Sequence, residues 1–506
     1  MKKRERTLII MTQKTNLYKC LFYIVFIVFI LLTIIAALNG PTMRHDDLWY
    51  MKDLQTFMRT GKMISNQIFP AMITHNTYNP PLVMHNIPTM YLVIPFAFLG
   101  GPFEGWIITN ILFTLLVCWL LIRIGGLFKW PLEQRLLCGA CFLVFPNTIY
   151  LSSHALSEAG TAFLVFLNCY FLLKMAETHW KWLLIGLITA LATLNRASLM
   201  VMALFILFYP LLYKEKPLSD RIKMISCFIV SFITLMMIGK YLFPSTSYGG
   251  VAELIKIPKD SNMLHLYTMS SSEFSLLRFT DRVLFYLHTQ LFGRKIYDLS
   301  FLLPFNALIL WVLFKRPKTT ERNIFSLRYY AIALIAAHFA TLIVIQFQYR
   351  YMQLLYPVLL IYFFATFDTR RFPQLFKVGI GLYLVVSLTA SIAYAKVNYD
   401  EAGHVRKTID SYMPTAAFLK GKGAIIINAN ERIHRWVIPD NLTLFVAAES
   451  SIDELLTMRK KAPFRWMICR TDSFLLKRLQ SLDPIAVDNL SIPLDSYKLY
   501  RFQVEP

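Results

Sequence analysis

The chain has 506 residues, of which 56% are hydrophobic and only 16% are charged, whereas soluble globular chains carry about 25% charged residues. Apolar runs of about 20 residues recur along most of its length, which indicates a helical membrane protein and excludes a soluble globular one. The formal net charge of +22 is then explained by basic cytoplasmic loops and anionic lipid headgroups, and not by nucleic acid.

The first apolar run, residues 21–38, follows a basic N-terminal segment. It is too long for a typical signal-peptide core, and no clear cleavage site of small residues follows it. We therefore expect a retained first span with the N-terminus in the cytoplasm.

A polar stretch, residues 40–84, comes next and is predicted to face outward. Between Asp47 and Met58 the apolar residues recur at helical spacing, which predicts an amphipathic helix on the membrane surface that ends at Gly61. The rest of the stretch, as far as Asn79-Pro80-Pro81, is predicted to be loop.

Two adjacent carboxylates, Asp46 and Asp47, open this helix. Like charges side by side raise one carboxyl pKa toward working pH, so one of the pair is a candidate general base. The alternative is that the pair caps the helix, because carboxylates favour a helix N-terminus. Both roles are compatible with one another.

Further apolar runs follow, and basic clusters between several of them are predicted to be cytoplasmic. The runs lie near residues 85–101, 104–124, 134–150, 155–173, 182–213, 224–243, 283–314, 329–347, 353–367 and 378–395. The stretches predicted to face outward with the first loop are residues 150–158, 244–282 and 348–352. The total is about 11–13 spans.

The sequence leaves two alternatives in each of two parts of this membrane topology. An odd number of crossings is required between residue 40 and Arg123, yet two candidate runs lie there, so one is a partial helix or one basic cluster faces outward. The run 182–213 is either one bent span or two short spans around Asn195-Arg196.

Polar residues before the second run would lie near the aspartate pair. The candidates are His75, Tyr78, Asn79 and His85, which flank Pro80-Pro81. Two prolines fix the direction in which the chain enters the next segment. The alternative is a stiff, solvated loop.

A polar break between two later runs carries a third acid. Ser152, Ser153, His154 and Ser157 precede Glu158, which could be a second acidic group at the same site. The alternative is a cluster that caps a helix at a tight turn.

Two arginines interrupt or border apolar runs. Arg196 lies within such a run, where a buried guanidinium needs an anionic partner. Arg350, followed by Tyr351, lies at the predicted outer end of another span and could hold a phosphate through two hydrogen bonds. The alternative for Arg350 is snorkelling to the interface.

The last hundred residues have a different pattern, in which predicted strands alternate with predicted helices. Residues 423–429, 442–448, 464–470 and 497–502 are predicted strands, with helices beginning at Ser451 and near 472–481. We therefore divide the chain into a transmembrane domain, residues 1–398, and a small α/β domain, residues 399–506. The second domain is extracytoplasmic if the preceding span exits outward.

Several nucleotide and metal motifs do not occur in the sequence. It has no Gly-rich phosphate loop, no Walker motif, no metal-type Cys/His spacing and no nucleophile elbow. An enzyme of this composition would need an activated substrate that requires no nucleotide pocket, and a lipid-linked donor meets that requirement.

These features in this order resemble the GT-C membrane glycosyltransferases, in particular the branch of the protein O-mannosyltransferases and the bacterial lipid A aminoarabinose transferase. The resemblance rests on the acidic pair with Tyr50, on Pro80-Pro81-Leu82, on the turn from Ser153 to Glu158, on Asn195-Arg196, and on Arg350-Tyr351 with Pro357. It covers most of the chain. One departure is Asp47, because related sequences often carry Glu there.

The resemblance implies an inverting transfer of a sugar from a polyprenyl-phosphate donor to a hydroxyl of an envelope glycan, lipid or protein, at the outer face of a bacterial inner membrane. Asp46 would be the base, Asp47 and Glu158 would position the acceptor or the base, and Arg350, Arg196 and Tyr351 would hold the donor phosphate. The acceptor would contact His75, Tyr78, Asn79 and His85. No metal ligand is assigned, and the family includes enzymes with and without a divalent metal.

Two other functions are alternatives. A transporter or flippase of lipid-linked sugars would share the apolar spans and buried arginines, but it predicts internal repeats, which the sequence lacks. A polysaccharide polymerase would depend on loop arginines more than on Asp46.

Overall fold

The computed structural model of the chain is mostly helical, with one six-stranded sheet. The structure describes residues 2–42, 47–61, 67–68, 87–174, 178–212, 215–242, 284, 287–291, 298–317, 322–344, 349–367, 371–422, 424–428, 443–445, 464–471, 476, 484–487, 490 and 497–503.

The helices make up a transmembrane bundle. They are α1 (Lys2–Ala37), α2 (Asp47–Thr60), α3 (Pro88–Gly100), α4 (Pro102–Leu127), α5 (Leu132–Leu143), α6 (Pro146–Ser152), α7 (Glu158–Lys174), α8 (His179–Asn195), α9 (Met200–Phe208), α10 (Leu218–Leu242), α11 (Leu299–Phe314), α12 (Arg322–Val344), α13 (Met352–Thr366) and α14 (Pro373–Leu419).

The apolar composition of most of these helices is that of membrane-embedded segments. By length and composition alone, α1, α4, α10 and α14 can each cross a membrane, and the pair α5–α6, bent by 63°, makes a fifth candidate. Large apolar side chains on α14, such as Leu375, Val378 and Leu382, are exposed, as lipid-facing residues are. The chain is a polytopic α-helical membrane protein, as the sequence predicts.

One end of the bundle gathers the stretches that are predicted to face outward. Thr42 Oγ1 lies 3.4 Å from His154 Nε2, and the hydroxyl groups of Tyr50 and Ser157 lie 3.2 Å apart. We call this the outer end.

The basic loops meet at the opposite end. Gln134 Nε2 donates to the Phe364 carbonyl at 3.1 Å, and Trp311 Nε1 donates to Thr366 Oγ1 at 2.8 Å. These contacts bring the loops after α4, α11 and α13 together, and we call this the basic end. Helix α13 runs from one end to the other, so the two predicted groups of loops are separated in the structure.

Helix α3 lies wholly at the outer end. It has 13 residues and a length of about 20 Å. Thr89 in its first turn donates from its backbone N–H and its hydroxyl to Asn195 Oδ1, while Ala97 in its last turn packs on Gly105 of α4. Asn110, further along α4, bonds the turn between α6 and α7. Helix α3 is therefore the partial helix, and α4 alone crosses.

The run 182–213 forms two short helices, not one bent span. Helix α8 ends where Arg196 takes an extended conformation, with φ −153° and ψ 105°. Helix α9 then returns toward the basic end, where the Tyr329 hydroxyl donates to the Phe205 carbonyl at 2.8 Å. Arg196 is thereby placed at the outer end, in the break between two helices.

The strands are β1 (Gln67–Ile68), β2 (Ala424–Asn428), β3 (Thr443–Phe445), β4 (Phe464–Arg470), β5 (Pro484–Ala486) and β6 (Tyr497–Phe502). Their order is β1-β3-β2-β4-β6-β5, with β1, β3, β2 and β4 parallel and β6 and β5 antiparallel. The four predicted strands are present, whereas β1 and β5 were not predicted. The predicted helix at Ser451 and most of that at 472–481 lie outside the described residues.

Strand β1 belongs to the first outward loop, yet it pairs with β3 of the C-terminal region: Gln67 is opposite Thr443, and Ile68 is opposite Leu444. A parallel ladder of this kind requires both segments to lie at the same end of the bundle. The outer loop and the small α/β domain are therefore one assembly at the outer end.

Helix α14 joins the bundle to the sheet. It has 47 residues and a length of about 70 Å. Asn398 donates to the Ala36 carbonyl at the end of α1, and beyond that level Tyr412 and Leu419 pack into the core of the sheet. The predicted domain boundary after residue 398 falls inside this continuous helix, and it stays a prediction.

Replacement of Gly105 by Ala tests the packing of α3 on α4. A Cβ atom at Gly105 would lie 2.6 Å from the backbone nitrogen and 2.7 Å from the Cα atom of Ala97, neither of which a side-chain rotation can move. We expect Gly105→Ala to lower the thermal unfolding midpoint of the detergent-solubilised protein. Gly379→Ala is the control, because no atom lies within 4 Å of its new Cβ. Equal midpoints for the two variants would contradict the packing.

Candidate functional site at the outer end of the bundle

Helix α2 begins at Asp47 and ends before Gly61, whose φ of +68° favours glycine. The helix and its end are as predicted. Asp46 lies outside the described residues, as does the side chain of Asp47. The structure thus shows the helix that the acidic pair opens, and the role of the pair stays a prediction.

The apolar face of α2 is covered by protein. Met51 and Leu54 are fully buried, and the ring of Tyr50 packs on Trp106 of α4 with 5.3 Å between centroids. On the polar face, Lys52 is buried as well. The prediction of a helix on the membrane surface was wrong in this respect, because helical periodicity identifies an apolar face without showing whether lipid or protein covers it.

The side-chain amide of Asn110 anchors the turn between α6 and α7 through three hydrogen bonds. Asn110 Nδ2 donates to the carbonyl oxygens of Leu151, His154 and Leu156 at 3.3, 2.8 and 2.9 Å. The polar side chains of the turn are buried, so the turn is not a solvated loop. It holds Glu158 in place as the first residue of α7.

Glu158 pairs with both arginines that the sequence singled out. Its Oε1 lies 2.8 Å from Arg196 Nη1 and 3.1 Å from Arg350 Nε. The side chains of Glu158, Arg196 and Arg350 are 2%, 13% and 6% exposed, so two guanidinium groups share one carboxylate in a largely dry environment. We call these residues, with Tyr351, the arginine cluster.

Tyr351 provides an aromatic face for both guanidinium groups. The Arg196 guanidinium carbon lies 3.7 Å from the ring centroid, and that of Arg350 lies 5.3 Å away. Arg350 Nη2 also lies 3.4 Å from the phenolic oxygen. Desolvated cation–π contacts stabilise a guanidinium by about 2 kcal/mol. The ring therefore helps to keep the two cations close together.

A small pocket opens beside Arg196. Its polar lining consists of Arg196, Ser198, His338 and Tyr351, and leucine and alanine side chains complete it. Within the described part of the chain, Arg196 Nε has no hydrogen-bond partner. A buried guanidinium with an available N–H is suited to donate a hydrogen bond to an anionic group.

Known proteins resemble this chain in structure, while no family model and no curated protein sequence matches it. ArnT from Cupriavidus metallidurans, solved with bound undecaprenyl phosphate, aligns over 94% of this chain and 97% of its own, with a TM-score of 0.59 and 12% identity. The mycobacterial arabinofuranosyltransferase AftD aligns over 96% of this chain and 40% of its own, with a TM-score of 0.53 and 13% identity.

The chain has the GT-C fold. The sequence resemblance predicts this fold, and the alignment with ArnT spans nearly the whole of both chains. At 12% identity the likeness concerns the fold, and the chemistry has to be argued from the arginine cluster.

A divalent metal is used by some enzymes of the GT-C fold. Among the described residues, no group of three or more His, Cys, Asp or Glu side chains is placed to hold a metal ion. Glu158 is a poor ligand where it stands, because two guanidinium groups already surround its carboxylate and would repel a third cation.

The structure brings four of the predicted site residues together, namely Glu158, Arg196, Arg350 and Tyr351. Of the remaining six, His75, Tyr78, Asn79, His85 and Asp46 lie outside the described residues, as does the side chain of Asp47, and their roles stay predictions.

His338 was missed by the sequence analysis, although it lines the pocket with Arg196. Its signal was present in the sequence, because a histidine inside the apolar run 329–347 is an intramembrane ionisable residue.

The pH dependence of stability tests the environment of Lys52 on α2. The pKa of its ammonium group is lowered from 10.5 to about 7, chiefly by burial and then by the nearby charge of Arg59, while Asp53 opposes the change. Between pH 7 and 10.5 the unfolded chain therefore binds more protons at this residue than the folded protein does, so the Lys52 contribution to stability rises with pH.

We expect Lys52→Met to raise the thermal midpoint most at or below pH 7, with the gain shrinking as the pH rises toward 10.5. Scanning fluorimetry at pH 7, 8 and 9 measures it. Lys407→Met is the control, since Lys407 is exposed. A gain that does not change with pH would contradict the lowered pKa.

Replacement of Glu158 by Gln removes the carboxylate charge that Arg196 and Arg350 share. Breaking a buried ion pair on one side typically destabilises a protein by about 3–5 kcal/mol. We expect a large fall in the unfolding midpoint of Glu158→Gln, and little change for the exposed control Glu104→Gln. Similar midpoints for the two variants would show that the cluster is not held by this carboxylate.

Proposed function

We propose that the protein transfers a sugar from a polyprenyl-phosphate-linked donor to a hydroxyl group at the outer face of a bacterial inner membrane. The observation that carries the proposal is the convergence of Arg196 and Arg350 on Glu158 at the outer end of a GT-C fold. The fold of this chain is shared with ArnT, which was solved with undecaprenyl phosphate. The acceptor belongs to an envelope glycan, lipid or protein.

The arginine cluster is proposed to bind the donor phosphate. Guanidinium groups bind phosphate oxygens through paired hydrogen bonds, and such bonds to ionised groups are roughly twice as strong as neutral ones. Arg196 and Arg350 are prepositioned by one carboxylate and one aromatic ring. A prepositioned pair of this kind stabilises charge that develops on a leaving phosphate without having to reorganise.

The contacts of Glu158 support a role that the sequence analysis did not assign to it. Its carboxylate faces the two arginines, so we assign it the positioning of these arginines and not the activation of the acceptor. We assign the acceptor side to the outer loop, where α2 begins at Asp47 and Asp46 precedes it in the sequence.

In the proposed reaction Asp46 accepts the proton of the acceptor hydroxyl, and the resulting nucleophilic oxygen attacks the anomeric carbon of the sugar. The bond between that carbon and the phosphate oxygen breaks, and its electron pair stays on the phosphate. Attack on the face opposite the leaving group inverts the anomeric configuration. The lipid phosphate leaves with an added negative charge, which Arg350 and Arg196 stabilise.

Replacement of Asp46 by Asn tests the base. Membranes that contain either protein are supplied with a panel of polyprenyl-phosphate sugars and native acceptors, and release of the lipid phosphate is followed. General bases contribute about 10²–10⁴-fold to rate. We expect Asp46→Asn to lose turnover by about that factor while its unfolding midpoint is unchanged.

Asp220→Asn is the matched control, because Asp220 is half-exposed at the start of α10, at the basic end. Unchanged turnover in Asp46→Asn would remove Asp46 as the base. If wild-type protein consumes no donor, the transferase proposal fails and a transporter of lipid-linked sugars becomes the better explanation.

A further inference from the structure

A hydrogen-bonded chain of side chains lies behind the pocket beside Arg196. Gln290, in the segment 287–291, is its central member and bonds both Asn306 of α11 and His338 of α12. His338 is 5% exposed and lines the same pocket as Arg196 and Tyr351. The reaction proposed above makes no use of this chain.

The backbone carbonyl of Gln290 fixes the direction of each hydrogen bond among these side chains. The backbone carbonyl of Gln290 can only accept, and it lies 2.7 Å from Asn306 Nδ2, which therefore donates to it. Asn306 Oδ1 then faces Gln290 Nε2 at 2.8 Å and accepts from it. Both amide orientations are thereby fixed, and Gln290 Oε1 is left as an acceptor.

The tautomer of His338 follows from this arrangement. Its Nε2 lies 3.4 Å from Gln290 Oε1, so Nε2 must carry the hydrogen. In a neutral imidazole the other nitrogen is then an acceptor. A charged ring would add a second buried cation beside Arg196 and would be costly. Nδ1 of His338 is therefore a buried acceptor, and within the described part of the chain it has no hydrogen-bond partner.

The chemistry of a polyprenyl-phosphate sugar limits what can bond to this nitrogen. Its ionised phosphodiester carries no hydrogen, and its isoprenoid chain has no hydrogen-bond donor. Only the sugar offers O–H groups, and the sugar is joined directly to the phosphate that Arg196 and Arg350 would hold. A buried acceptor on a residue that lines the pocket of Arg196 is thus suited to a sugar hydroxyl.

We infer that His338 is a specificity residue whose Nδ1 accepts a hydrogen bond from a hydroxyl group of the lipid-linked donor sugar. This inference rests on the proposed function. Asn306 and Gln290 act as positioning residues, because they hold the imidazole in the tautomer that accepts at the pocket.

The test compares donors that each lack one sugar hydroxyl, with wild type, His338→Phe and His338→Asn. A neutral hydrogen bond corresponds to about a 3- to 10-fold effect. With wild type, we expect one deoxy donor to have a kcat/KM that is lower than that of the parent donor by this factor. With His338→Phe, the two donors should have the same kcat/KM. His338→Asn, which can place an amide oxygen near the position of Nδ1, should restore part of the discrimination. The control is His404→Phe, at an exposed position of α14.

The outcomes separate this inference from the proposed function. If wild type turns over donors and His338→Phe shows the same deoxy profile, the role of His338 is overturned and only water occupies Nδ1. If the difference appears instead with deoxy acceptors, the hydroxyl belongs to the acceptor, and the assignment to the donor is overturned. If wild type consumes no donor, the proposed function fails and this role fails with it.

The tautomer can be tested without any turnover. Nitrogen chemical shifts of ¹⁵N-histidine-labelled protein distinguish protonated from unprotonated ring nitrogens, and the difference between wild type and His338→Phe assigns the signals. We expect Nε2 protonated and Nδ1 unprotonated. Protonation of Nδ1 in the ligand-free protein would overturn the hydrogen-bond chain and the inference drawn from it. Gln290→Leu should relax the preference for this tautomer.

Discussion

The outer end of this protein depends on one interaction, in which two guanidinium groups share a single carboxylate. The desolvation free energy of burying Glu158, Arg196 and Arg350 separately would be very unfavourable. It is offset here because the carboxylate lies within 3.1 Å of a nitrogen of each guanidinium group and a tyrosine ring covers the cations. This requirement brings together the start of α7, the break between α8 and α9, and the segment before α13. Each of these positions is a helix end, where the backbone can bring a side chain into the bundle.

The same end of the bundle is enclosed by the outer loop and the small α/β domain. Strand β1 comes from the loop, yet it completes the sheet whose other strands follow α14, and α14 itself carries the sheet away from the bundle. The outer loop is held at two places, by α2 on α4 and by β1 on β3.

The sequence predicted the elements whose signals are local. The ends of α2, the strands β4 and β6 and the arginines at breaks in apolar runs follow from periodicity, turn residues and the cost of buried charge. It could not predict that α2 is covered by protein, that Gln67 and Ile68 join a distant sheet, or that Glu158 faces the arginines, because these depend on which segments meet in space. His338 shows a different limit: its own signal is local, but its partners Gln290 and Asn306 are not.

The most direct test of the central claim is the binding of undecaprenyl phosphate and of undecaprenol, which lacks the phosphate, to wild-type protein and to Arg350→Gln in nanodiscs. Native mass spectrometry reports both affinities. An arginine cluster that binds phosphate predicts that wild type prefers the phosphate-bearing lipid and that Arg350→Gln loses most of this preference while its affinity for undecaprenol is unchanged. Equal binding of the two lipids by wild type, or an undiminished preference in the variant, would contradict the account.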